Sequence, residues 1–532
     1  MKVLSLKIDK ADMCGGLLDG LFIRFRDDDV DPNIFDPLCL VGPNGTGKSQ
    51  LLQVIAEIFQ SIYHQYLPDE ERGTPNNELL FEIIYILKKE RCSDTSIPVC
   101  ISRHKSDKKK ASFEVKTYVN GDWEVIDDSK HIAELLPEKI IGYTSGDNET
   151  LSLPFFSSRA GYAGKVRNNA RDANKKNEKI KDPRLLLIDY STNLEVLVAN
   201  LLLNPENVVK ALLATPNLKS LRSFRCIIQL RHSAAPSGGV KLTTELDDYI
   251  KYLNSCATCY DYNEKSGTYV FDFFVNHATA QAFKHYWKNG ALELYSCFHK
   301  LSMLNDLIIP KAARDKFDKG VKDRRFAARL PEPIDEQKVF RFEQVEFISN
   351  KTGKPVDYVS LSDGEHQLAQ LLGTACMSSF SNVLFLLDEP ESHFNPLWRV
   401  EFIKKLRELP TINGRRSELS NVAQQECLLT THSPFVPSDM QRENVLIFKK
   451  SQDASSISVR RPQIQTYGSR FDSILSECFD ISPPISALSR DEIEHLFENG
   501  SIEEIRSAIE RLGESTARMR LGIRLNQLES GK

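Results

Sequence analysis

Residues 42–49 read GPNGTGKS, and no other stretch limits the possible folds so sharply. Glycines at 42, 45 and 47 let the main chain turn its N–H groups inward, and a helix that follows adds the partial positive charge of its N-terminus. Such a loop needs a buried strand before it and a helix after it. DPLCLV supplies a short apolar strand, and SQLLQVIAEIFQSIY carries apolar residues at helical spacing. The run Gly42-Pro43-Asn44-Gly45-Thr46-Gly47-Lys48-Ser49 therefore reads as a phosphate-binding loop for a nucleotide. In it Lys48 reaches the β- and γ-phosphates and Ser49 ligates Mg²⁺. The setting it requires is an α/β fold.

The other half of such a site lies more than 300 residues downstream. NVLFLLDEP, residues 382–390, is an apolar strand that delivers two acids at its C-terminal end. Asp388 is placed to hold Mg²⁺ and Glu389 to polarise an attacking water. Before it stands LSDGE, residues 361–365, which puts a small hydroxyl, Ser362, and a glycine, Gly364, at a helix start where a γ-phosphate can come close. After it come ESHFNP and then CLLTTHSPF, an apolar strand ending at His432.

These five elements, in this order, resemble the ATP-binding cassette superfamily: Walker A, signature, Walker B, D-loop and switch histidine. The signature differs from LSGGQ at Asp363 and Glu365. The resemblance implies that Glu389 and His432 are the catalytic pair, and that Ser362 and Gly364 complete the nucleotide site. It covers about residues 1–60 and 335–450. Some 310 residues separate Ser49 from Leu361, so the cassette is split by a large insertion, as in the SMC, RecF and OLD-like branch. The expected fold is an ABC-type P-loop ATPase head split by a mixed α/β insertion, with a helical C-terminal tail. Its expected parts are an N-terminal lobe over 1–150, an insertion or lid over 151–335, a C-terminal lobe over 336–480 and a partner-docking tail over 481–532.

The insertion is not a long coiled coil, because Pro205, Pro216 and Pro236 interrupt it and no heptad persists. TNLEVLVANLLLNPENVVKALL reads as two helices, TYVFDFFVN as a strand, and ATAQAFKHYWKNGALELYSCFHKLSMLNDLI as one or two amphipathic helices. EKIIGYTSGDNE stands where cassettes carry a Q-loop but has no glutamine; Ser145 or Asn148 could substitute, or the segment is a plain hairpin. Residues 157–184 hold nine Lys/Arg against three acids, and 311–329 hold eight against three. Either segment could follow a nucleic-acid backbone, and the first reads equally well as a solvated loop. Cys256 and Cys259 form a lone C-x-x-C without a second close pair.

Beyond His432 the chain has neither the Asp-x-Asp of a Toprim nuclease nor an HNH-like histidine pattern, and the segment from Ser489 is charged and helical. With LSDGEHQLAQLL, LFLLDEPESHFNP, TTHSPF and TYGSRFDSILSECFDI, this resembles the PtuA-type ATPases of Septu and retron antiviral systems. That resemblance implies an ATP-sandwich homodimer or higher oligomer and a PtuB-like HNH nuclease partner. In retron forms it implies a reverse transcriptase with its RNA–DNA product (msDNA). A RecF-like repair ATPase acting directly on DNA is the alternative, with nucleic acid as the ligand. A transporter cassette is disfavoured by the insertion.

The bulk composition agrees with this class. At 532 residues the chain is too long for one core, and 41% hydrophobic with 27% charged residues is ordinary for a soluble protein. A net charge of −4 gives no global attraction to nucleic acid. No apolar run approaches the ~20 residues that span a bilayer. The eleven cysteines, scattered from Cys14 to Cys478, suit reduced thiols, and the expected location is cytoplasmic, away from membranes.

Overall fold

The computed structural model describes residues 1–12, 15–27, 30–88, 96–105, 111–145, 149–189, 192–231, 239–323, 333–378, 382–411, 414–415, 425–451, 456–482 and 484–530. Two compact units divide the chain, Met1–Gly468 and Ser469–Lys532. Strands and helices are numbered in chain order.

In the larger unit the N-terminal alternation of apolar and charged residues forms β1 (Lys2–Lys10). It joins β2 (Phe22–Arg24), β4 (Leu80–Lys88), β5 (Ser96–His104), β6 (Ser112–Val119) and β7 (Asp122–Val125) in an antiparallel sheet ordered β2-β1-β4-β5-β6-β7. The central sheet is made from β3 (Leu38–Val41), β8 (Lys139–Thr144), β9 (Leu185–Ile188), β15 (Val383–Asp388), β18 (Glu426–Thr430), β19 (Val445–Lys450) and β20 (Ile457–Arg460). Its order is β20-β19-β3-β18-β15-β8-β9, with β20 antiparallel and the others parallel. A parallel sheet is covered on both faces, so its strands read as unbroken apolar runs. VLFLLD in β15 and LCLV in β3 are buried at every position.

Helix α1 (Lys48–Tyr66) lies between these two sheets. Its Leu51, Ile55 and Phe59 share one core with Val3, Phe81 and Val99 of the antiparallel sheet and with Leu40, Leu386 and Leu428 of the central one. Helices α2 (Ser129–Glu134) and α3 (Glu149–Asn169) pack on α1. At the start of β18, Glu426 accepts from Arg26 Nε at 2.9 Å and Nη2 at 2.8 Å, and from the Val3 N–H at 3.0 Å. All three groups are buried. Burial alone would raise the Glu426 pKa, but Arg26 and Lys2 outweigh it and hold the carboxyl below its ordinary range. Removing one partner of such a pair typically costs about 3–5 kcal/mol.

The insertion contains the antiparallel sheet β11-β12-β10-β13-β14, from β10 (Leu218–Gln229), β11 (Cys259–Asn263), β12 (Thr268–Phe274), β13 (Phe340–Ser349) and β14 (Pro355–Asp357). The Phe224 and Phe273 rings stack at 4.5 Å in its core. Helices α4 (Asn193–Leu203), α5 (Glu206–Ala214), α7 (His277–Tyr286) and α8 (Ala291–Ser302) stand where the apolar periodicity places them, and α6 (Thr244–Cys256) and α9 (Lys311–Lys322), which that periodicity did not announce, complete it. After it come α10 (Asp363–Met377), α11 (Pro396–Arg407), a ribbon of β16 (Pro410–Thr411) with β17 (Gly414–Arg415), and α12 (Phe435–Ser438).

The lobes exchange strands across the expected boundaries. β9, inside the expected lid, is the edge of the central sheet, while β13 and β14, expected in the C-terminal lobe, extend the insertion sheet. EKIIGYTSGDNE is not a hairpin: β8 pairs in parallel with β15 and β9 and is followed by α3. Nor are residues 157–184 a solvated loop. Their first half belongs to α3, where Tyr162 and Val166 are buried. Arg159 pairs with Asp189 at 3.0 Å, Arg167 with Asp306, Lys165 with Glu178, and Arg184 with Glu70 at 2.6 Å. In the second basic segment Arg314 is buried and donates to the Asp306 carbonyl at 2.9 Å; residues 324–329 lie outside the described residues. Of the C-x-x-C cysteines, Cys256 is buried and Cys259 exposed on β11.

The smaller unit holds α13 (Phe471–Phe479), α14 (Ala487–Asn499), α15 (Ile502–Arg511) and α16 (Thr516–Glu529). It starts at Ser469, twelve residues before the expected tail. Ile493, Leu496, Ile505, Ala508, Ala517 and Leu521 form its core. No helix of the described residues is long and apolar enough to cross a membrane.

Candidate nucleotide site

The C-terminal ends of β3, β15 and β18 converge on one locus. At the end of β3, Gly42 has φ 137°, and a Cβ there would lie 2.3 Å from the Phe448 carbonyl oxygen of β19. Only glycine fits this approach, so the first residue of the loop is dictated by sheet packing as well as by phosphate chemistry. Pro43, Asn44, Gly45 and Thr46 form the turn, closed by Thr46 Oγ1 donating to the Pro43 carbonyl at 2.8 Å. Gly47 precedes α1 without a side-chain cap, and no acid stands in the first turn of that helix. The free N–H groups there are therefore left for an anion from outside.

Lys48 is buried, and its ammonium donates to the carbonyls of Gly42 at 2.9 Å and Pro43 at 3.0 Å. Burial pushes its pKa down to about 8 against the opposing pull of Glu389 and Asp388, so it is still mostly charged at neutral pH. Ser49 Oγ donates to Asp388 Oδ1 at 2.8 Å, and Thr430 Oγ1 donates to the same oxygen at 2.6 Å. Burial raises the Asp388 pKa, while the hydrogen bonds from Thr430 and Ser49 lower it without cancelling the rise. Hydroxyl and carboxylate oxygens are hard donors of the kind Mg²⁺ takes. Ser49 and Asp388 would hold that ion.

Glu389 sits beside this pair with φ 47°, a left-handed backbone that glutamate seldom adopts. Its N–H donates to Thr430 Oγ1 at 3.0 Å, so one hydroxyl positions both acids. The Glu389 Oε1 lies 3.3 Å from His432 Nε2, with both side chains about one-third exposed. Burial, then Lys48, lowers the His432 pKa despite Asp388. The lowered pKa favours the neutral imidazole, so the approach to Glu389 is a close polar contact and not an ion pair. Ser145, just after β8, donates its N–H to the Asp388 carbonyl at 3.3 Å. Asn148 lies outside the described residues.

Ser362 caps α10 with a reciprocal capping box. Its N–H donates to Glu365 Oε2 at 2.7 Å, and its hydroxyl accepts from the Glu365 N–H at 3.4 Å. The Glu365 carboxylate is therefore held inside its own turn. Gly364 is buried, and a Cβ there would lie 2.9 Å from the His393 carbonyl oxygen of the D-loop. Arg399 braces that loop by donating to the carbonyls of Phe394 at 2.9 Å and Ser392 at 2.8 Å. Helix α10 packs on α4, α5 and β9, at the edge of the central sheet four strands from β3.

Residues 264–439 match the family model described as "AAA domain, putative AbiEii toxin, Type IV TA system". The matched segment carries the signature, Asp388, Glu389, the D-loop and His432. The match, over about a third of the chain, supports a P-loop ATPase of the SMC/RecF/ABC-like class. For such an ATPase the motifs did not single out Glu391, the third acid of DEPE. Glu391 is buried, bonded to the Thr431 hydroxyl between Thr430 and His432, with its other oxygen unpartnered. The signal available in sequence was the pairing of DEPE with the double threonine, but burial decides its role.

Burial pushes the Glu391 pKa up to about 7, outweighing its bond from Thr431. A carboxyl with a raised folded pKa contributes stability that is complete below its unfolded pKa of about 4.5 and is lost as pH rises through 7. Glu391→Gln stays neutral throughout. Relative to wild type it should therefore gain stability between pH 5 and 8, by up to about 3 kcal/mol. Denaturant melts at several pH values measure the difference, and one that does not change with pH would show that Glu391 is not held neutral.

Proposed function

We propose that this chain binds and hydrolyses ATP between two copies of itself, and that the nucleotide state restrains or releases a nuclease partner in an antiviral defence complex. The observation that carries the reading is the Asp388 network: Ser49 and Thr430 donate to Asp388 at 2.8 and 2.6 Å, Thr430 accepts from the Glu389 N–H at 3.0 Å, and His432 lies 3.3 Å from Glu389. Lys48 and the loop N–H groups would bind the β- and γ-phosphates. Glu389 would accept the proton of the attacking water while the bond from the γ-phosphorus to the ADP oxygen breaks. His432, neutral and beside Glu389, would donate its one N–H to the γ-phosphate. Mg²⁺ bound at Ser49 and Asp388 would supply charge neutralisation for the leaving phosphates.

A two-copy site follows from the position of the signature. Helix α10 stands four strands from β3, so Ser362 and Gly364 suit a nucleotide held by another copy's loop better than one held by their own. A head-to-tail pair then forms two sites, each with Lys48 from one chain and the signature from the other. Mixing Lys48→Ala chains with Gly364→Asp chains should restore one intact site per mixed dimer. Either variant alone should be inactive, and an inactive mixture would speak against shared sites.

Glu389→Gln should bind Mg·ATP with near wild-type affinity and hydrolyse it ~10²–10⁴-fold more slowly, because an amide cannot accept the proton of the water. Phosphate release at saturating ATP, beside equilibrium binding, gives both numbers. Unchanged turnover would place the base elsewhere.

The regulatory part rests on the likeness to PtuA-type ATPases and on a matched family whose description speaks of a toxin–antitoxin system. It implies a PtuB-like HNH nuclease subunit, with a reverse transcriptase and its RNA–DNA product in retron forms, in the cytoplasm. The smaller unit offers a docking surface, with Leu488 and Met519 exposed on α14 and α16. A RecF-like role directly on DNA is weakened because Arg159, Lys165, Arg167 and Arg184 of the first basic segment are committed to internal carboxylates. Purified chain, with and without its genome-neighbour subunit, should be assayed on DNA and RNA with Mg²⁺ or Mn²⁺. The chain alone should not cut. Metal-dependent cleavage by the lone chain, abolished by a point substitution in it, would sink the regulatory reading.

A further inference from the structure

The hairpin β19–β20 has no part in the Asp388 network, yet it touches the phosphate loop at three points. The Phe448 carbonyl abuts Gly42, the Lys450 ammonium lies 3.7 Å from where a side chain on Gly45 would begin, and Ile457 Cδ1 lies 2.6 Å from where one on Gly47 would begin. Lys450 and Ile457 are directly opposed across the two strands, so both side chains emerge on one face. That face is turned to the loop. Buried Leu18 backs Ile457, with its Cδ2 3.2 Å from the same point on Gly47. Lys450 is exposed, and its ammonium takes part in no side-chain hydrogen bond or ion pair among the described residues.

The direction of a bound nucleotide follows from the strand order. Asp388, Glu389 and His432, which face the γ-phosphate and its ion, come from β15 and the end of β18, on one side of β3. The hairpin stands on the other side of β3. A triphosphate with its γ end at Asp388 therefore leads its nucleoside toward β19–β20. We propose that this hairpin is the nucleoside end of the site, with Lys450 on the α-phosphate and ribose edge and Ile457 against the face of a purine base. The inference rests on the nucleotide reading above and adds the residues that grip the end of the ligand retained after hydrolysis. A cation at the α-phosphate and an apolar contact on the base do not distinguish ATP from ADP. The hairpin thus sets how tightly product is held, while Glu389 and His432 respond to the γ-phosphate.

The test is equilibrium binding of Mg·ATP, Mg·ADP and Mg·tripolyphosphate to the full chain. The proteins are wild type, Lys450→Ala, Ile457→Asn and Lys48→Ala. Lys450→Ala should weaken ATP and ADP by the same factor, about tenfold for a charge-assisted contact. Ile457→Asn, which adds no charge beside the loop, should weaken both nucleotides and leave tripolyphosphate binding at the wild-type level, which also reports an intact loop. Wild-type affinity for both nucleotides in Lys450→Ala overturns the proposal, and so does a loss confined to ATP, which would put the ammonium on the γ-phosphate. Equal loss of tripolyphosphate in Ile457→Asn overturns the base contact. Undiminished ATP binding in Lys48→Ala would overturn the nucleotide site itself, and the role of the hairpin with it.

Discussion

One oxygen atom, Asp388 Oδ1, accepts hydrogen bonds from Ser49 and from Thr430, and three distant segments of the chain are held in register there. The bond to Ser49 fixes where α1 begins relative to β15. The bond to Thr430 fixes where β18 ends, and the same hydroxyl sets the backbone of Glu389. β18 is only five residues long and buried throughout, so it has little else to define its register. Its opposite end is held as firmly, by Arg26 on Glu426. A slip by one residue would break both clamps and turn every side chain of the strand to the wrong face.

The acid pair works because its two members occupy different surroundings. Asp388 is 1% exposed and takes two hydroxyl donors on Oδ1, whereas Glu389, next in the chain, has a left-handed backbone and lies beside His432. Two adjacent carboxylates in one environment would compete for the same charge compensation. The backbone strain at Glu389 separates an ion-holding role from a proton-accepting one. The same economy governs the signature. Its departure from LSGGQ at Glu365 completes a capping box with Ser362, and Gly364 is needed for contact with the His393 carbonyl.

Local features were legible in the sequence and long-range ones were not. The loop at 42–49, the apolar strands at 383–388 and 426–430 and the paired helices at 193–214 depend on short-range pattern, and they stand where pattern places them. EKIIGYT is a parallel strand because its partners come from residues 383–388 and 185–188, which no local signal in it could announce. The segment 157–184 read as a nucleic-acid contact or a solvated loop because its charges are visible in sequence, while their partners Asp189, Asp306 and Glu70 lie outside it. The exchange of β9 for β13 and β14 across the expected boundaries has the same origin. Glu391 went unread because its environment, not its neighbours in the chain, makes it unusual.

The split cassette has a consequence for how the chain is made. β3 ends at Val41, but both strands that flank it, β18 and β19, begin at Glu426 and Val445. At ribosomal rates of ~5–20 residues per second, β3 waits on the order of 20–80 s for a neighbour. Four consecutive apolar residues with two open edges are an aggregation hazard for that time. The antiparallel sheet offers shelter, since its strands are all synthesised by Val125 and its core already includes Leu51, Ile55 and Phe59 of α1. Every strand of the N-terminal sheet, and the helix α1 that shares its core, is therefore synthesised some 300 residues before β18 and β19, which flank the nucleotide loop's own strand.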